Sequence, residues 1–267
     1  MSSNAVVFDS AGTLLHMYRA AKNLINGTIC YDIVTTDLAS TDPNYGIVII
    51  NIDPDKLMEI NESCLIHQFL DEYNIAIDIG CSSRPVSVAE ARLIINFDSR
   101  AIVSDLHEVL LAVLGRCDNR RYMGVGVMID TAHNCIPYTL STGGSLFPGV
   151  KDVVKQLEDM GVDVYIASGD KQEDVELIAG SIGVKKEHTF GLSTPQRKGE
   201  IVVDLKGSYD KVVMVGDAIN DIMAFKQADF AVMTVQQRNV RPEKLSSEAD
   251  AIIDHISQIV PLVSDLI

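Results

Sequence analysis

The chain of 267 residues is long enough for one large domain or two modest ones. Its apolar content of 47% and charged content of 22% are typical of a globular protein and exclude a disordered one. The formal net charge of −15 argues against a nucleic-acid partner, because its field would repel phosphate backbones. Any site for a small anion must therefore carry its own local cation.

No apolar run approaches the roughly 20 residues that cross a bilayer. The first residues also lack the basic and apolar regions of a signal peptide. We therefore expect a cytoplasmic protein with no membrane partner. The sequence does not predict an oligomeric state.

The cysteines and histidines have no spacing typical of a disulfide framework or a metal site. The five cysteines contain no CxxC pair, which predicts reduced, mostly buried thiols. The six histidines are dispersed in the same way, and none stands at metal-ligand spacing from another.

The first predicted element is a short buried strand, 4–8, which leads into "FDSAGTLL" (8–15). This places the carboxylate of Asp9 at the end of a strand, before a tight Gly-Thr turn. Two residues further on, Ala11 has nothing to titrate. The pattern suggests a carboxylate that does chemistry without a second one beside it.

The segment 17–144 contains its own predicted elements and is too long for one crossover between neighbouring strands. We interpret it as an inserted α+β domain, with boundaries near His16 and Gly143-Gly144. Its predicted strands cover 29–37, 45–52, 92–97 and 122–129, and its predicted helices lie near 55–72 and 101–115.

The second half of the chain alternates strands with helices. Such alternation is typical of an α/β fold in which helices cover both faces of a parallel sheet. We expect strand 4–8 to join this Rossmann-like sheet, so that 1–16 and 145–267 form one core domain. The predicted strands are 163–168, 211–217, 230–234 and 250–254, and the helices begin near 150, 171, 196, 219 and after 254.

Three polar residues fall at the carboxyl ends of the predicted parallel strands: Asp9, Ser168 and Asp217. Ligands of open α/β sheets bind at those ends, so these residues can converge despite their separation in sequence. Asp9 and Asp217 offer hard oxygen ligands of the kind that Mg²⁺ prefers. "SGDK" (168–171) begins a helix and offers backbone N–H groups to a phosphate, which Lys198 could neutralise.

At these motifs the chain resembles the haloacid dehalogenase-like (HAD) superfamily. "FDSAGTLL" is similar to the first motif of that family and "ASGD" to the second. Lys198 in "TPQRKGEIV" matches the third motif, and "VGDAINDIMAF" matches the fourth. The likeness is greatest to the phosphorylation domain of P-type ATPases and covers 1–16 and 145–267, whereas 17–144 matches only in its position as an insertion.

The resemblance implies a Mg²⁺-dependent phosphatase or phosphotransferase that acts on a small phosphorylated metabolite through an aspartyl phosphate. Asp9 would be the nucleophile, and Ser168 and Lys198 would hold the transferring group. The metal ligands would be Asp9, Asp217 and the backbone C=O of Ala11, with Asp221 holding the metal's waters. The substrate-binding and loop-supporting positions would be Thr13, Gly169 and Asn220.

Ala11 departs from most phosphatases of the family, which carry there a second aspartate as general acid and base. Its absence suggests a slowly hydrolysed intermediate, and His16 and His133 are candidate replacements. An alternative is a regulatory or binding protein that keeps the phosphate site but has lost turnover. A second alternative is a phosphonatase-type C–P hydrolase, a family that has alanine at this position and uses a lysine of the inserted domain.

Three residues of the insertion are functional candidates, two lysines for a Schiff base and one arginine for substrate binding. Lys22 and Lys56 are the only lysines in 17–144, and Lys22 on an early element is the candidate for a Schiff base. Arg84 lies in "GCSSRPVSVAEA" (80–91), a predicted loop leading into a helix. We expect Arg84 to contact the distal part of the substrate.

Overall fold

The computed structural model describes residues 3–117, 122–237 and 243–266. The chain divides into two compact units, which we call the core unit (Met1–His16 with Leu146–Ile267) and the inserted unit (Met17–Ser145). Among the described residues no helix has the length and apolar character needed to cross a membrane. Strands and helices are numbered along the whole chain.

The described strands of the core unit form one parallel sheet in the order β12-β11-β10-β1-β8-β9. β1 lies in the middle, paired with β8 on one side and β10 on the other, and all five of its residues are buried. Both faces of such a strand pack against other elements, which explains its continuous apolar run. The strands are β1 (Asn4–Phe8), β8 (Val162–Ala167), β9 (Thr189–Phe190), β10 (Lys211–Gly216), β11 (Phe230–Thr234) and β12 (Ala251–Ile253).

The helices of the core unit follow the predicted alternation. In α6 the residues Val150, Val153, Val154 and Leu157 are buried on one face, the spacing that a helix needs to pack on a sheet. The predicted α/β fold class with a parallel sheet is confirmed. The helices are α6 (Val150–Asp159), α7 (Gln172–Ile182), α8 (Pro195–Lys206), α9 (Ile222–Phe225), α10 (Glu243–Ser246) and α11 (Ile259–Leu266).

The described strands of the inserted unit form a separate sheet in the order β3-β2-β7-β6-β4-β5. Neighbouring strands are antiparallel in the pairs β2–β3, β4–β5, β4–β6 and β6–β7. The strands are β2 (Leu15–Asn23), β3 (Ile29–Tyr31), β4 (Tyr45–Ile50), β5 (Ile77–Ser82), β6 (Met123–Asp130) and β7 (Cys135–Leu146).

The helices of the inserted unit from residue 54 onwards pack on one face of its sheet, whereas Ala39 of the first helix lies in a different cluster, with Met128 and Leu140. Alternate residues of the strands, such as Val48 and Ile50 of β4 and Val125, Val127 and Ile129 of β6, belong to the same buried cluster as the apolar faces of the longer helices. The helices are α1 (Thr35–Ala39), α2 (Pro54–Leu57), α3 (Ile66–Glu72), α4 (Val88–Phe97) and α5 (Val103–Leu114).

The predicted strand at 92–97 is wrong, because these residues form the second half of α4. The Ser87 side chain caps the helix by accepting a hydrogen bond from the Glu90 N–H at 3.1 Å. Ala91, Ile94 and Ile95 are then buried at helical spacing. A mostly apolar segment with two isoleucines is thus helical, because a cap and a packed face both favour the helix.

Three other expectations for the insertion are also corrected. The strand predicted over 29–37 ends at Tyr31, and α1 begins at Thr35. The helix predicted near 55–72 is two short helices, α2 and α3. The five cysteines form no disulfide, and most of them are not buried. Cys117 is buried, Cys64 and Cys135 are partly buried, and Cys30 and Cys81 are exposed.

Candidate active site

Asp9 follows β1 directly, and its N–H donates to the carbonyl of Val215 in the neighbouring strand β10 at 2.9 Å. The chain then turns tightly, because the N–H groups of Thr13, Leu14 and Leu15 all donate to the carbonyl of Ser10. The Asp9 side chain is 6% exposed. The turn therefore holds a nearly buried carboxylate at the carboxyl edge of the sheet.

Gly12 brings this turn against Asp217 at the end of β10. Its φ is +88°, and a Cβ built on it would lie 2.1 Å from the Asp217 Oδ2. Any larger residue at position 12 would collide with this carboxylate and be strained in its backbone. The glycine of the first motif thus serves the approach of Asp217 to the Asp9 loop.

Lys198 connects two of the predicted carboxylates. It lies in the first turn of α8, whose N-cap Thr194 accepts from the Arg197 N–H at 3.2 Å. Its Nζ donates to the Asp9 Oδ1 at 2.5 Å and to the Asp221 Oδ1 at 2.6 Å. The Lys198 side chain is fully buried, so the two ion pairs hold its ammonium in one place.

Burial by itself lowers the pKa of Lys198, but the negative charges of Asp9 and Asp221 outweigh this, so the pKa lies above the ordinary lysine value. The ammonium is therefore charged at neutral pH. One buried positive charge is thus available beside the predicted nucleophile, as the acidic net charge of the chain requires for any anion site.

Asp221 is completely buried behind the loop that follows β10. Its Oδ2 accepts from the N–H groups of Asp217 and Ala218 at 3.2 and 3.3 Å. A Cβ at Gly216 would lie 2.4 Å from the same oxygen, so this position also requires glycine. Burial first, and then the charge of Asp9, raise the pKa of Asp221 to about 7 against the opposing effect of Lys198.

Asp9, Asp217 and Asp221 form a cluster in which one oxygen from each lies within 4.8 Å of the others. Three hard carboxylate oxygens at this separation suit Mg²⁺. One ammonium between Asp9 and Asp221 leaves an excess of negative charge in a buried place, which a divalent cation beside Asp9 and Asp217 would reduce. The residues present fit the predicted metal.

Ser168 ends β8 next to β1 and is 2% exposed. Its hydroxyl donates to the Asp170 Oδ2 at 2.9 Å and accepts from the Asp170 N–H at 3.2 Å. The Asp170 side chain keeps an accessible surface but lies deep among protein atoms. This desolvation raises the pKa of Asp170, the hydroxyl of Ser168 partly opposes the rise, and the charge of Asp9 adds to it.

A loop that sequence reasoning missed holds the Ser168 turn in place. The Ser193 N–H donates to the Ser168 carbonyl at 2.8 Å, and the Leu192 N–H donates to the Asp170 carbonyl at 2.7 Å. The Gly191 N–H donates to the Gln172 Oε1 at 2.6 Å. We call residues 191–193 the clasp. No motif marked it, because its contacts are made by backbone groups.

Gln236, after β11, is a second residue that the sequence did not indicate. Its Nε2 donates to the Thr13 carbonyl at 2.7 Å, and its Oε1 accepts from the Ile256 N–H at 3.1 Å. The side chain therefore ties the turn after Asp9 to the chain beyond β12. A lone glutamine after a strand carries no recognisable signal.

Other predicted positions of the core unit lie in the same loops. Thr13 is buried, and its hydroxyl is 3.5 Å from the Asp9 Oδ2. Ala11 is half-buried within the first turn, whereas Gly169 and Asn220 are exposed in the loops after β8 and β10. His16 is stacked edge-on against Phe147, with the ring centres 5.4 Å apart.

The predicted positions of the inserted unit are engaged with their own neighbours. The Arg84 Nη2 donates to the Glu90 Oε1 at 2.5 Å, and its Nε donates to the Thr131 Oγ1 at 3.1 Å. The His133 Nδ1 lies 2.7 Å from the Asp130 Oδ2. Contact between Arg84 and a substrate therefore stays a prediction.

Lys22 forms ion pairs with Asp105 at 2.8 Å and Glu108 at 2.6 Å. Burial lowers its pKa, but these two carboxylates outweigh burial and raise the pKa above the ordinary value. A Schiff-base lysine needs the opposite shift, because only the neutral amine attacks a carbonyl. Lys56, in the short helix α2, is exposed.

Residues 4–229 match the family of haloacid dehalogenase-like hydrolases. The chain belongs to this family. The predicted membership is therefore confirmed. The match begins at β1 and ends just before β11. It therefore includes all four motifs of the core unit and the whole inserted unit.

Two similar proteins differ in how much of their own length the similarity covers. A soluble P-type ATPase-like phosphatase of Methanocaldococcus jannaschii is 34% identical over 264 residues, which cover 98% of this chain and 94% of the relative. A probable copper-importing P-type ATPase A of Enterococcus hirae is 30% identical over 114 residues. That match covers 43% of this chain but 15% of the ATPase.

Two solved structures show distant similarity over nearly the whole chain. A zinc-transporting PIB-type ATPase is 16% identical with a TM-score of 0.48, covering 98% of this chain and 40% of that one. A phospho-aspartyl intermediate analogue of phosphoserine phosphatase is 14% identical with a TM-score of 0.47, covering 99% of each chain.

Proposed function

We propose that this hydrolase is a Mg²⁺-dependent phosphatase or phosphotransferase that acts on a small phosphorylated metabolite through an aspartyl phosphate on Asp9. The observation that carries the proposal is the buried Lys198 ammonium, which is shared between Asp9 and Asp221, two members of a cluster of three carboxylates that Asp217 completes. The name of the Methanocaldococcus relative, a phosphatase similar over nearly the full length, supports the same reaction class. The predicted cytoplasmic location stays a prediction.

In this proposal a carboxylate oxygen of Asp9 attacks phosphorus while the bond from phosphorus to the leaving oxygen breaks. Lys198 faces the developing negative charge, and the hydroxyl of Ser168 and the N–H groups of its turn hold the phosphoryl oxygens. Phosphoryl transfer depends chiefly on such positioning and electrostatic stabilisation. Water or a second hydroxyl then attacks phosphorus and releases the Asp9 carboxylate.

Asp9 and Asp217 are the residues that would hold Mg²⁺, with the Ala11 carbonyl as a further oxygen. When bound, the ion supplies positive charge to the phosphoryl oxygens. Both oxygens of Asp221 already accept hydrogen bonds, from Lys198 and from the loop N–H groups. Asp221 therefore holds the lysine and the loop, and reaches the ion at most through water.

Ala11 leaves the first turn without a carboxyl group that could protonate the leaving oxygen. Loss of a general acid or base typically costs ~10²–10⁴-fold in rate. We therefore expect wild-type turnover to be fastest with good leaving groups and the aspartyl phosphate to accumulate. Slow hydrolysis also favours transfer to an acceptor other than water.

The test is a panel of phosphorylated metabolites assayed with Mg²⁺, with an acid quench after labelling. We expect label on Asp9, no label or turnover in Asp9→Asn, and turnover lowered by about 10²-fold or more in Lys198→Met, which removes the charge facing the transition state. Lys226→Met is the matched control, because Lys226 is an exposed partner of Glu248. Label on a residue other than Asp9 would contradict the mechanism.

The main alternative is a regulatory or binding protein that keeps the phosphate site without turnover, and Ala11 is the observation that favours it. Such a protein would bind inorganic phosphate in a Lys198-dependent manner yet release no product from any member of the panel. A C–P hydrolase has less support, since the ion pairs of Lys22 favour its charged form. Borohydride trapping of a substrate on Lys22 would instead support the C–P hydrolase.

A further inference from the structure

Leu192 stands out among the large apolar side chains of the described core unit. It is 69% exposed, the largest exposure in this group, and its φ of +51° lies in the left-handed region. A leucine gains nothing from this backbone conformation, which favours glycine or asparagine. Such a position persists only where the surrounding structure enforces it, and it is found most often at functional sites.

The clasp supplies that enforcement. The Leu192 N–H donates to the Asp170 carbonyl at 2.7 Å, and its neighbours Gly191 and Ser193 are bound to Gln172 and Ser168 at 2.6 and 2.8 Å. The leucine is therefore held rigidly beside the turn that we propose to bind phosphate. Its side chain projects to solvent from a fixed backbone.

Ile219 occupies the opposite side of the same edge. It lies between Asp217 and Asp221 in the loop after β10 and is 50% exposed. The loops follow β10, β1, β8 and β9 in this spatial order. With strands ~4.8 Å apart, the two outer loops stand about 14 Å apart, with Asp9 and Ser168 between them.

We propose that Leu192 and Ile219 are specificity-determining residues that contact an uncharged, apolar leaving group, such as an aryl or branched alkyl group directly attached to the phosphate. This rests on the proposed function. The two exposed side chains belong to the loops on either side of Asp9 and Ser168, and a ring that contacts both would bury apolar surface. A polyphosphate leaving group is disfavoured, because Asp170, Glu173 and Asp174 add negative charge on the β8 side, with Lys171 among them.

The experiment measures binding, so that it does not depend on turnover. Calorimetry in Mg²⁺ compares phenylphosphonate with methylphosphonate, which share the phosphoryl group and differ in the apolar part. We expect wild type to prefer phenylphosphonate by about ten-fold, the effect of burying roughly 50 Å² of apolar surface. The preference should fall below about three-fold in Leu192→Asn and be reduced in Ile219→Thr.

Two further variants separate substrate contact from structural damage. Leu192→Gly should also lose the preference but raise the melting temperature, because glycine relieves the left-handed strain. Leu177→Asn removes a side chain that is 49% exposed on α7, outside these loops, and should keep the preference. Methylphosphonate affinity should change less than two-fold throughout.

An equal loss of affinity for both phosphonates in the Leu192 variants would overturn the proposal, because it would place Leu192 in support of the Ser168 turn alone. A wild type without preference for the phenyl group would overturn it as well. Failure of the proposed function has a different signature: the phenyl preference would persist while no phosphate ester is hydrolysed and no label reaches Asp9.

Discussion

Lys198 and Asp9 are 189 positions apart in the chain, yet their side chains meet at 2.5 Å inside the protein. The family motifs indicated both residues. Asp9 directly follows a strand, and Lys198 stands at the start of a helix. They did not indicate that the same ammonium would also bind Asp221. That pairing depends on the distance between α8 and the loop after β10, which packing sets.

The first prediction at the residue scale concerns Ala11. Replacing it with aspartate places a carboxyl group two residues after the proposed nucleophile Asp9, within the same turn. We expect Ala11→Asp to raise the rate on an aryl phosphate ten-fold or more, against the ~10²–10⁴-fold that a well-placed acid or base supplies. The gain should be smaller for better leaving groups, and less label should remain on Asp9 after the quench.

Ala11→Asn is the matched control, since it has the same size without a titratable proton. A gain shared by both variants would show that the effect is steric. An unchanged rate in a folded, Mg²⁺-binding Ala11→Asp protein would mean that position 11 does not limit the chemistry.

The second prediction concerns Asp170, whose pKa is raised chiefly by burial. Above this raised pKa the side chain is negative beside the proposed phosphate turn and repels the anion. Asp170→Asn should then tighten competitive inhibition by inorganic phosphate by about three- to ten-fold, which corresponds to roughly 1 kcal/mol between charges in a partly solvated site. Below the raised pKa wild-type Asp170 is neutral, so the two inhibition constants should converge.

Inhibition constants measured from pH 4, near the ordinary pKa of aspartate, to pH 9 test this, because the titration of phosphate itself cancels in the ratio of the two proteins. The ratio should also shrink with added salt, since the Asp170 side chain has an accessible surface. A ratio that is independent of pH would show that the effect of the substitution is not electrostatic.

Loops rather than regular elements connect the parts of the site. The clasp joins the end of β9 to the turn after β8, and Gln236 joins the turn after β1 to the chain beyond β12. Neither connection could be predicted, because backbone donors and a single amide leave no residue pattern. Five of the six described core strands were predictable, since buried parallel strands are continuous apolar runs, whereas the two-residue strand β9 was not predicted.

Asp98 has a comparable joining role in the inserted unit. Its Oδ1 accepts from the N–H groups of Arg100 and Ala101, and its Oδ2 accepts from the N–H of Ile136 at the start of β7. Burial raises the pKa of Asp98, but these backbone donors outweigh burial and leave the pKa below its ordinary value of 3.8. The carboxylate thus connects the end of α4, the start of α5 and a strand.

We expect Asp98→Asn to lower the free energy of unfolding by about 2 kcal/mol at pH 7, because hydrogen bonds to a buried charge are weakened. A carboxyl with a lowered pKa stabilises the folded state above its ordinary pKa, and this contribution disappears as the pH falls through the lowered value. The difference between the two proteins should therefore be constant above about pH 5 and shrink below pH 4.

Urea unfolding at pH 7 and pH 3 checks this difference. Asp71→Asn is the control, because Asp71 forms a surface pair with Arg92 at 3.3 Å with its side chain 63% exposed, and such pairs contribute little. An equal loss of stability in both variants, or a loss in Asp98→Asn that persists unchanged at pH 3, would contradict the assignment.

At the scale of the whole molecule, the chain consists of a core unit interrupted by an inserted unit between residues 16 and 146. All the residues that we place in the reaction belong to the core unit. The stability of that unit should consequently respond to the ligands of the site.

We therefore expect millimolar Mg²⁺ to raise the melting temperature of the core unit by a few degrees, since an ion that binds only the folded state stabilises it by mass action. Asp217→Ala should abolish the shift, because it removes one of the two carboxylates that we propose to bind the ion directly. Asp265→Ala, at an exposed position of α11, should retain the full shift. Equal shifts in wild type and Asp217→Ala would contradict the metal assignment.

The sequence alone determined the family and most of the parallel core sheet, because buried strands are apolar runs. It also determined the three loops that carry Asp9, Ser168 and Asp217 and the helix start that carries Lys198, because each motif residue stands at a strand or helix end. Only the tertiary structure decided that 92–97 is helical, since a short apolar segment adopts the conformation that its cap and packing partners favour. It also decided the contacts of the clasp, the ties of Gln236 and the exposure of Leu192. These depend on backbone groups and on the distances between elements, which no short stretch of sequence encodes.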